Sequence, residues 1–253
     1  MIRTRHVTFV FLVTCLCALG MISLPSYSQD KAQKKEQGAD FQQFPIVDLF
    51  ASEPTDPAEK ERRAKKGKKY NIKYTAPLSE SVDSMFLNVD WDVNLPAFPI
   101  EKSAAVVIAR VQKAEAHLSE DKTGIYSEFT IKIDAIFKND PNNQLLNDKS
   151  IFAYRTGGRV RFPSGKILVS AVSHQEMPQP KKRYLLFLTH SRLTGGEDED
   201  FQILTGYELT DGQVFPLDKV PSSHLMNKYR GASENVLLMD LSSALAKSPS
   251  NPQ

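Results

Sequence analysis

Apolar and polar positions alternate most regularly over Ala104–Lys138, AAVVIARVQKAEAHLSEDKTGIYSEFTIKIDAIFK. Phe129, Ile131, Ile133, Ala135 and Phe137 fall on one side, and Glu128, Thr130, Lys132 and Asp134 on the other. A period of two is that of a half-buried antiparallel strand. Ala104–Val111 is apolar on both sides, which places it deeper in a sheet.

Downstream the strand signals are short and closely spaced. Asn139–Asp148 reads as a loop and Ile151–Tyr154 as a strand that Gly157-Gly158 breaks. Arg159–Ser170 forms a hairpin about Pro163-Ser164-Gly165-Lys166, and Arg183–Thr189 a strand buried on both faces. Phe201, Ile203, Thr205, Tyr207 and Leu209 alternate, and Thr210-Asp211-Gly212-Gln213 is the sequence of a type I′ hairpin turn. Ser233 then caps a helix whose apolar positions are Val236, Leu237, Leu238, Met239, Leu241, Ala244 and Leu245. This helix either docks on the domain or mediates a dimer. The predicted fold is mainly β: a small antiparallel OB-like barrel or sandwich with an extended N-terminal strap and a C-terminal helix.

The first part of the chain is different. Residues 1–28 have the plan of a secretory signal peptide, with Arg3 and Arg5 before an apolar core and Ser26-Tyr27-Ser28 at the end. An uncleaved anchor is the alternative, but the core is short against the roughly 20 residues that a spanning helix needs. Residues 29–70 are predicted to be a disordered tether, since their composition buries little apolar area to offset chain entropy. A short cluster of Phe41, Phe44, Ile46, Val47, Leu49 and Phe50 interrupts it. The prolines of 71–99 predict a strap, with Trp91 and Phe98 as anchors. The barrel is expected over 100–218, a loop and helix over 219–247, and a tail over 248–253.

Charge and cysteine content add localisation. Both cysteines, Cys15 and Cys17, lie in the leader, so the mature chain is expected to have neither disulfide nor thiolate ligand. The formal net charge is only +2, yet Lys60, Arg62, Arg63, Lys65, Lys66, Lys68 and Lys69 crowd one run with Glu61 as its single acid. In an exported chain, periplasmic or extracellular, such a run suits an anionic membrane or wall surface, or is a solvated linker. Nucleic acid is not an expected partner, and no transmembrane helix is expected in the mature chain.

The order AAVVIARVQKAEA, EFTIKIDAIFKND, KKRYLLFLT, FQILTGYEL resembles the OB barrels of the netrin-like, tissue-inhibitor-of-metalloproteinase type, and secreted bacterial proteins of unknown function with that pattern. The resemblance spans Ala104–Leu209 and implies a fold. The inhibitors of that family chelate a protease zinc through an N-terminal cysteine held by disulfides. A mature chain that starts near Gln29 without cysteine cannot do so.

Catalytic motifs are absent. There is no H-E-x-x-H and no G-x-S-x-G elbow, and a metal site would have to be assembled from separated segments. No catalytic residue, metal or cofactor is therefore expected. Arg159, Arg161 and Lys166 with Tyr154 and Tyr207 are the candidate binding face, as OB barrels bind oligomers across a sheet. Gly157-Gly158 with the two arginines would suit an anion, or is a plain strand break. The expected function is a non-enzymatic binding or interaction module of the bacterial envelope, its partner an envelope protein or an anionic surface. The alternatives are a hydrolase using His174, Glu176 and the acidic turn Glu197-Asp198-Glu199-Asp200, or a protease inhibitor by fold analogy.

Overall fold

A computed structural model describes residues 41–73, 75–82, 84–87, 92, 94–141, 143–190 and 201–248. The proposed leader and cleavage site, Trp91 and the acidic turn 197–200 lie outside them. The chain divides into two units, 1–42 and 43–253, and the second carries the fold.

That unit is mainly β. Its elements in order are β1 (Ile46–Asp48), α1 (Pro57–Lys69), β2 (Ser84–Leu87), β3 (Ala105–Leu118), β4 (Ile125–Lys138), β5 (Ser150–Thr156), β6 (Gly158–Arg161), β7 (Ile167–Val172), β8 (Arg183–His190), β9 (Phe201–Thr210), β10 (Gln213–Pro216) and α2 (Glu234–Lys247). One sheet has the order β10-β9-β5-β4-β3-β8, and β9 also pairs antiparallel with β8. On its other edge β9 meets β5 at Phe201 and Gln202, then β10 from Tyr207 onward. A second sheet has the order β1-β6-β7-β2.

The alternation in β4 holds. Phe129, Ile131 and Ile133 are buried, and Ala135 and Phe137 pack against the main core. Ala105–Ala109 is buried throughout, and β4 and β8 pair along its two edges. The β9–β10 turn places Asp211 at φ 51° and Gly212 at φ 74°, the left-handed pair that a type I′ hairpin needs. At Gly157 the chain crosses from one sheet to the other. A Cβ there would stand 2.7 Å from the Ser170 carbonyl, and its φ of +102° suits glycine alone. The double glycine is a crossing point, and its Gly157 amide donates to the Ile125 carbonyl.

Two expectations give way. Over 71–99 the chain is not only a strap, because β2 joins the second sheet in parallel with β7. Phe98 does serve as an anchor, its ring 5.1 Å from Tyr229 and 6.3 Å from Phe187 and Tyr207. More consequentially, the basic run is a helix and not a disordered tether. Asp56 caps it by accepting from the Ala58 amide at 3.1 Å, Pro57 starts it, and Glu59 and Lys66, Lys68 and Lys69 suit the two ends of its dipole. Apart from Gly67 near its end, its interior is Ala, Lys, Arg and Glu, all strong helix formers. It lacks a continuous apolar face, so a test for apolar burial overlooks it.

α2 docks through Leu237 and Leu241, with Leu238, Ala244 and Leu245 beside them, while Val236 and Met239 face outward. Among the described residues no helix is long and apolar enough to cross a membrane.

Candidate functional site: the cleft under the basic helix

The polar face of the β3–β4–β5 sheet is covered by α1. Glu128, which the alternation places on the solvent side of β4, is therefore buried. Arg62 reaches it from α1: Nη1 donates to Oε2 and Nη2 to Oε1 at 3.0 Å. The same Nη1 donates to the Tyr154 hydroxyl at 2.8 Å, and the guanidinium lies 4.4 Å from the centre of the Phe152 ring. Bonding to the Glu128 carboxylate raises the guanidinium pKa against the opposing cost of burial.

One turn on, buried Lys66 places Nζ 3.9 Å above the Tyr154 ring, a cation–π contact in a desolvated setting. After the helix, Tyr70 stacks on Tyr126 at 4.4 Å and 11°. Gly124 allows this close approach, since a Cβ there would lie 2.3 Å from the Tyr70 carbonyl oxygen. Burial pushes the phenols of Tyr126 and Tyr154 up, so both are neutral donors at any physiological pH.

Between α1, the segment Leu49–Pro54 and the end of the β3–β4 pair lies a cleft of about 470 Å³. Val47, Leu49, Leu118 and Tyr126 give it apolar walls, and Phe50, 72% exposed, stands at its mouth. Its charges balance: Lys60, Arg63 and Lys122 face Asp48, Glu53 and Glu120, with Lys60 and Glu53 paired at 2.5 Å. His117 also lines it. Burial, with Arg63 adding to it, pushes the imidazole below its ordinary range, so the ring is neutral.

The five residues of the expected binding face do not converge. Tyr154 is buried with Tyr70 and Tyr126, and Tyr207 is buried in the main core, where its hydroxyl donates to the Ala97 carbonyl at 2.8 Å. Arg159 donates to the Phe44 carbonyl at 2.8 Å, Arg161 stands 3.7 Å from Asp48, and Lys166 donates to the Glu80 carbonyl. Of the basic run, Arg62 and Lys66 are docked and Arg63 is bonded to Glu59 at 2.6 Å. Lys68 lies 3.7 Å from Glu120, and Lys65 is exposed. Lys69 is half-buried at the helix end.

The histidine–glutamate pair considered for hydrolysis is held by structure. His174 Nδ1 is 3.0 Å from the Lys219 carbonyl oxygen. Glu176 is pushed up to about 7 by burial and by the nearby Asp218. Lys219 Nζ stands 3.5 Å away, but half exposed it does not offset them.

Sequence reasoning passed over Glu115, His117 and Glu128. Their signal was the E-x-H alternation on β3, legible only once the register sets Glu115 opposite Glu128. Comparison with known protein families, curated proteins and solved structures finds no match for this chain.

Proposed function

We propose that this chain is a non-enzymatic interaction module exported to the bacterial envelope, and that its partner is a protein whose chain seats in the cleft under α1. The observation that carries this reading is the cleft itself: apolar walls, an exposed aromatic at the mouth and a rim with both signs of charge. An anionic polymer or bilayer would call for a rim of one sign. A rim of paired charges suits a protein surface, where such pairs set register more than affinity. The strand pairings β9-β5-β4-β3-β8-β9 support an OB-like barrel as the scaffold.

The test is photo-cross-linking in the intact envelope, with a photoreactive residue at Phe50 or at Met239, two similarly exposed apolar positions. Cross-links from Phe50 to one protein, with none from Met239, are expected. Cross-links from Met239 alone would move the interface to α2. A chain still beginning at Met1, measured on the same material, would remove the proposed export signal.

A hydrolase is the second reading, favoured by the raised Glu176 alone, since a general acid needs its proton near neutral pH. Glu176→Gln would abolish such an activity and would leave partner cross-linking unchanged.

A further inference from the structure

We propose that Glu115, His117 and Glu128 form a binding site for a divalent transition-metal ion of the zinc type. This goes beyond the cleft's role as a protein site and does not depend on it.

The register assembles the three. Glu115 on β3 sits directly opposite Glu128 on β4, and His117 follows Glu115 on the same face of its strand. Two like charges directly opposed across strands are destabilising unless a cation lies between them. A ring nitrogen of His117 and one oxygen from each carboxylate all lie within 4.8 Å of one another. Ligands at 2.0–2.2 Å from a tetrahedral ion stand about 3.4 Å apart, so side-chain rotation by an ångström or so closes the set.

An independent observation points the same way. His117 is only 7% exposed, and its Nε2 is buried without a hydrogen-bond partner among the described residues. A buried polar atom left unpaired is costly, and its presence asks for a ligand. One neutral imidazole with two carboxylates suits zinc better than calcium or magnesium, which prefer all-oxygen shells.

The cations already present leave room. Arg62 takes two of about four acceptor positions on Glu128 and the Tyr154 hydroxyl bonds it as well, which leaves a position for an ion to share that carboxylate. Glu115 pairs with Lys113 at 2.7 Å, a partly exposed pair that exchanges at little cost. Because His117 also lines the cleft, an ion has an entry path to that ligand.

The experiment is calorimetric titration of zinc chloride into the mature full chain, stripped with chelator and free of any histidine tag. His117→Gln and Glu115→Gln are titrated in parallel, and calcium is the control ion. One equivalent of zinc is expected, with at least about tenfold weaker binding in each variant. Zinc should also raise the melting temperature of the parent chain and not that of His117→Gln. Cobalt(II) should give a visible band that His117→Gln loses. The absence of stoichiometric zinc uptake, or unchanged affinity in the variants, overturns the site. If His117→Gln does not fold, Glu115→Gln, at a half-buried position, decides the matter alone.

Discussion

Arg62 and Glu128, 66 residues apart in the chain, form a two-pronged ion pair that fastens α1 to β4. The glutamate is buried and the arginine half-buried, so loss of the arginine leaves a carboxylate stranded in a low-dielectric site. Arg62→Ala should destabilise the unit by about 3 kcal/mol, toward the lower end for a broken buried pair because Arg62 keeps some solvent contact. Glu128→Gln in the same background should recover part of that loss, since an amide tolerates the site better than an unpaired charge. Denaturant melts of the two single variants and the double variant measure it. Strictly additive losses would mean that the pair does not hold the helix.

Arg155 and Asp218 should matter more. Both side chains are fully buried and joined at 2.6 and 3.1 Å. The remaining guanidinium donors reach the carbonyls of Ile203, Leu204 and Glu176, and Asp218 also accepts from Thr205 Oγ1 at 2.7 Å and the Glu176 amide at 3.0 Å. Arg155→Met leaves that carboxylate unpaired and should cost about 3–5 kcal/mol by chemical denaturation. A loss under 1 kcal/mol would contradict the network.

Glu176 gives a pH dependence with a definite sign. Its carboxyl is raised from 4.5 to about 7 in the folded chain. Between those values the folded state keeps a proton that the unfolded state has released, so stability falls as pH rises through that window. Below it both states are protonated and the effect is absent. Glu176→Gln removes the titration, so its melting temperature should gain on the parent from pH 5 to pH 8. A gap constant over that range would show that the carboxyl is not raised.

Ile131→Asp should unfold the chain, whereas Lys132→Asp should change stability little. Ile131 is completely buried on β4, while Lys132 turns to the other face and makes an exposed 3.1 Å pair with Asp148. Thermal melts of the two variants compare them directly, and equal losses would refute the strand's alternation.

The strands were legible because period-two alternation and turn chemistry are local properties. Phe129, Ile131 and Ile133 report burial on their own, and Asp211-Gly212 reports its turn. The candidate site was not legible in the same way. Glu128 looks solvent-facing by alternation, and only the helix that covers it makes it buried. That helix binds through Arg62, Lys66 and the Tyr70 ring, contacts that carry no hydrophobic period. Likewise Tyr154 and Tyr207 have the composition of a binding face, yet belong to separate buried clusters. Which polar residues meet depends on register and on long-range docking, and neither is written in a short window of sequence.

Amide hydrogen exchange over Pro57–Tyr70 in the full chain tests most directly whether the basic run is the docked wall of the cleft. A docked helix exchanges only through local or global opening, whereas a solvated tether exchanges at intrinsic rates. Slow exchange is predicted from Arg62 to Lys69, accelerated by Arg62→Ala while β4 stays protected. Unprotected amides across that run, beside a protected β4, would contradict the docked helix and remove the cleft with it.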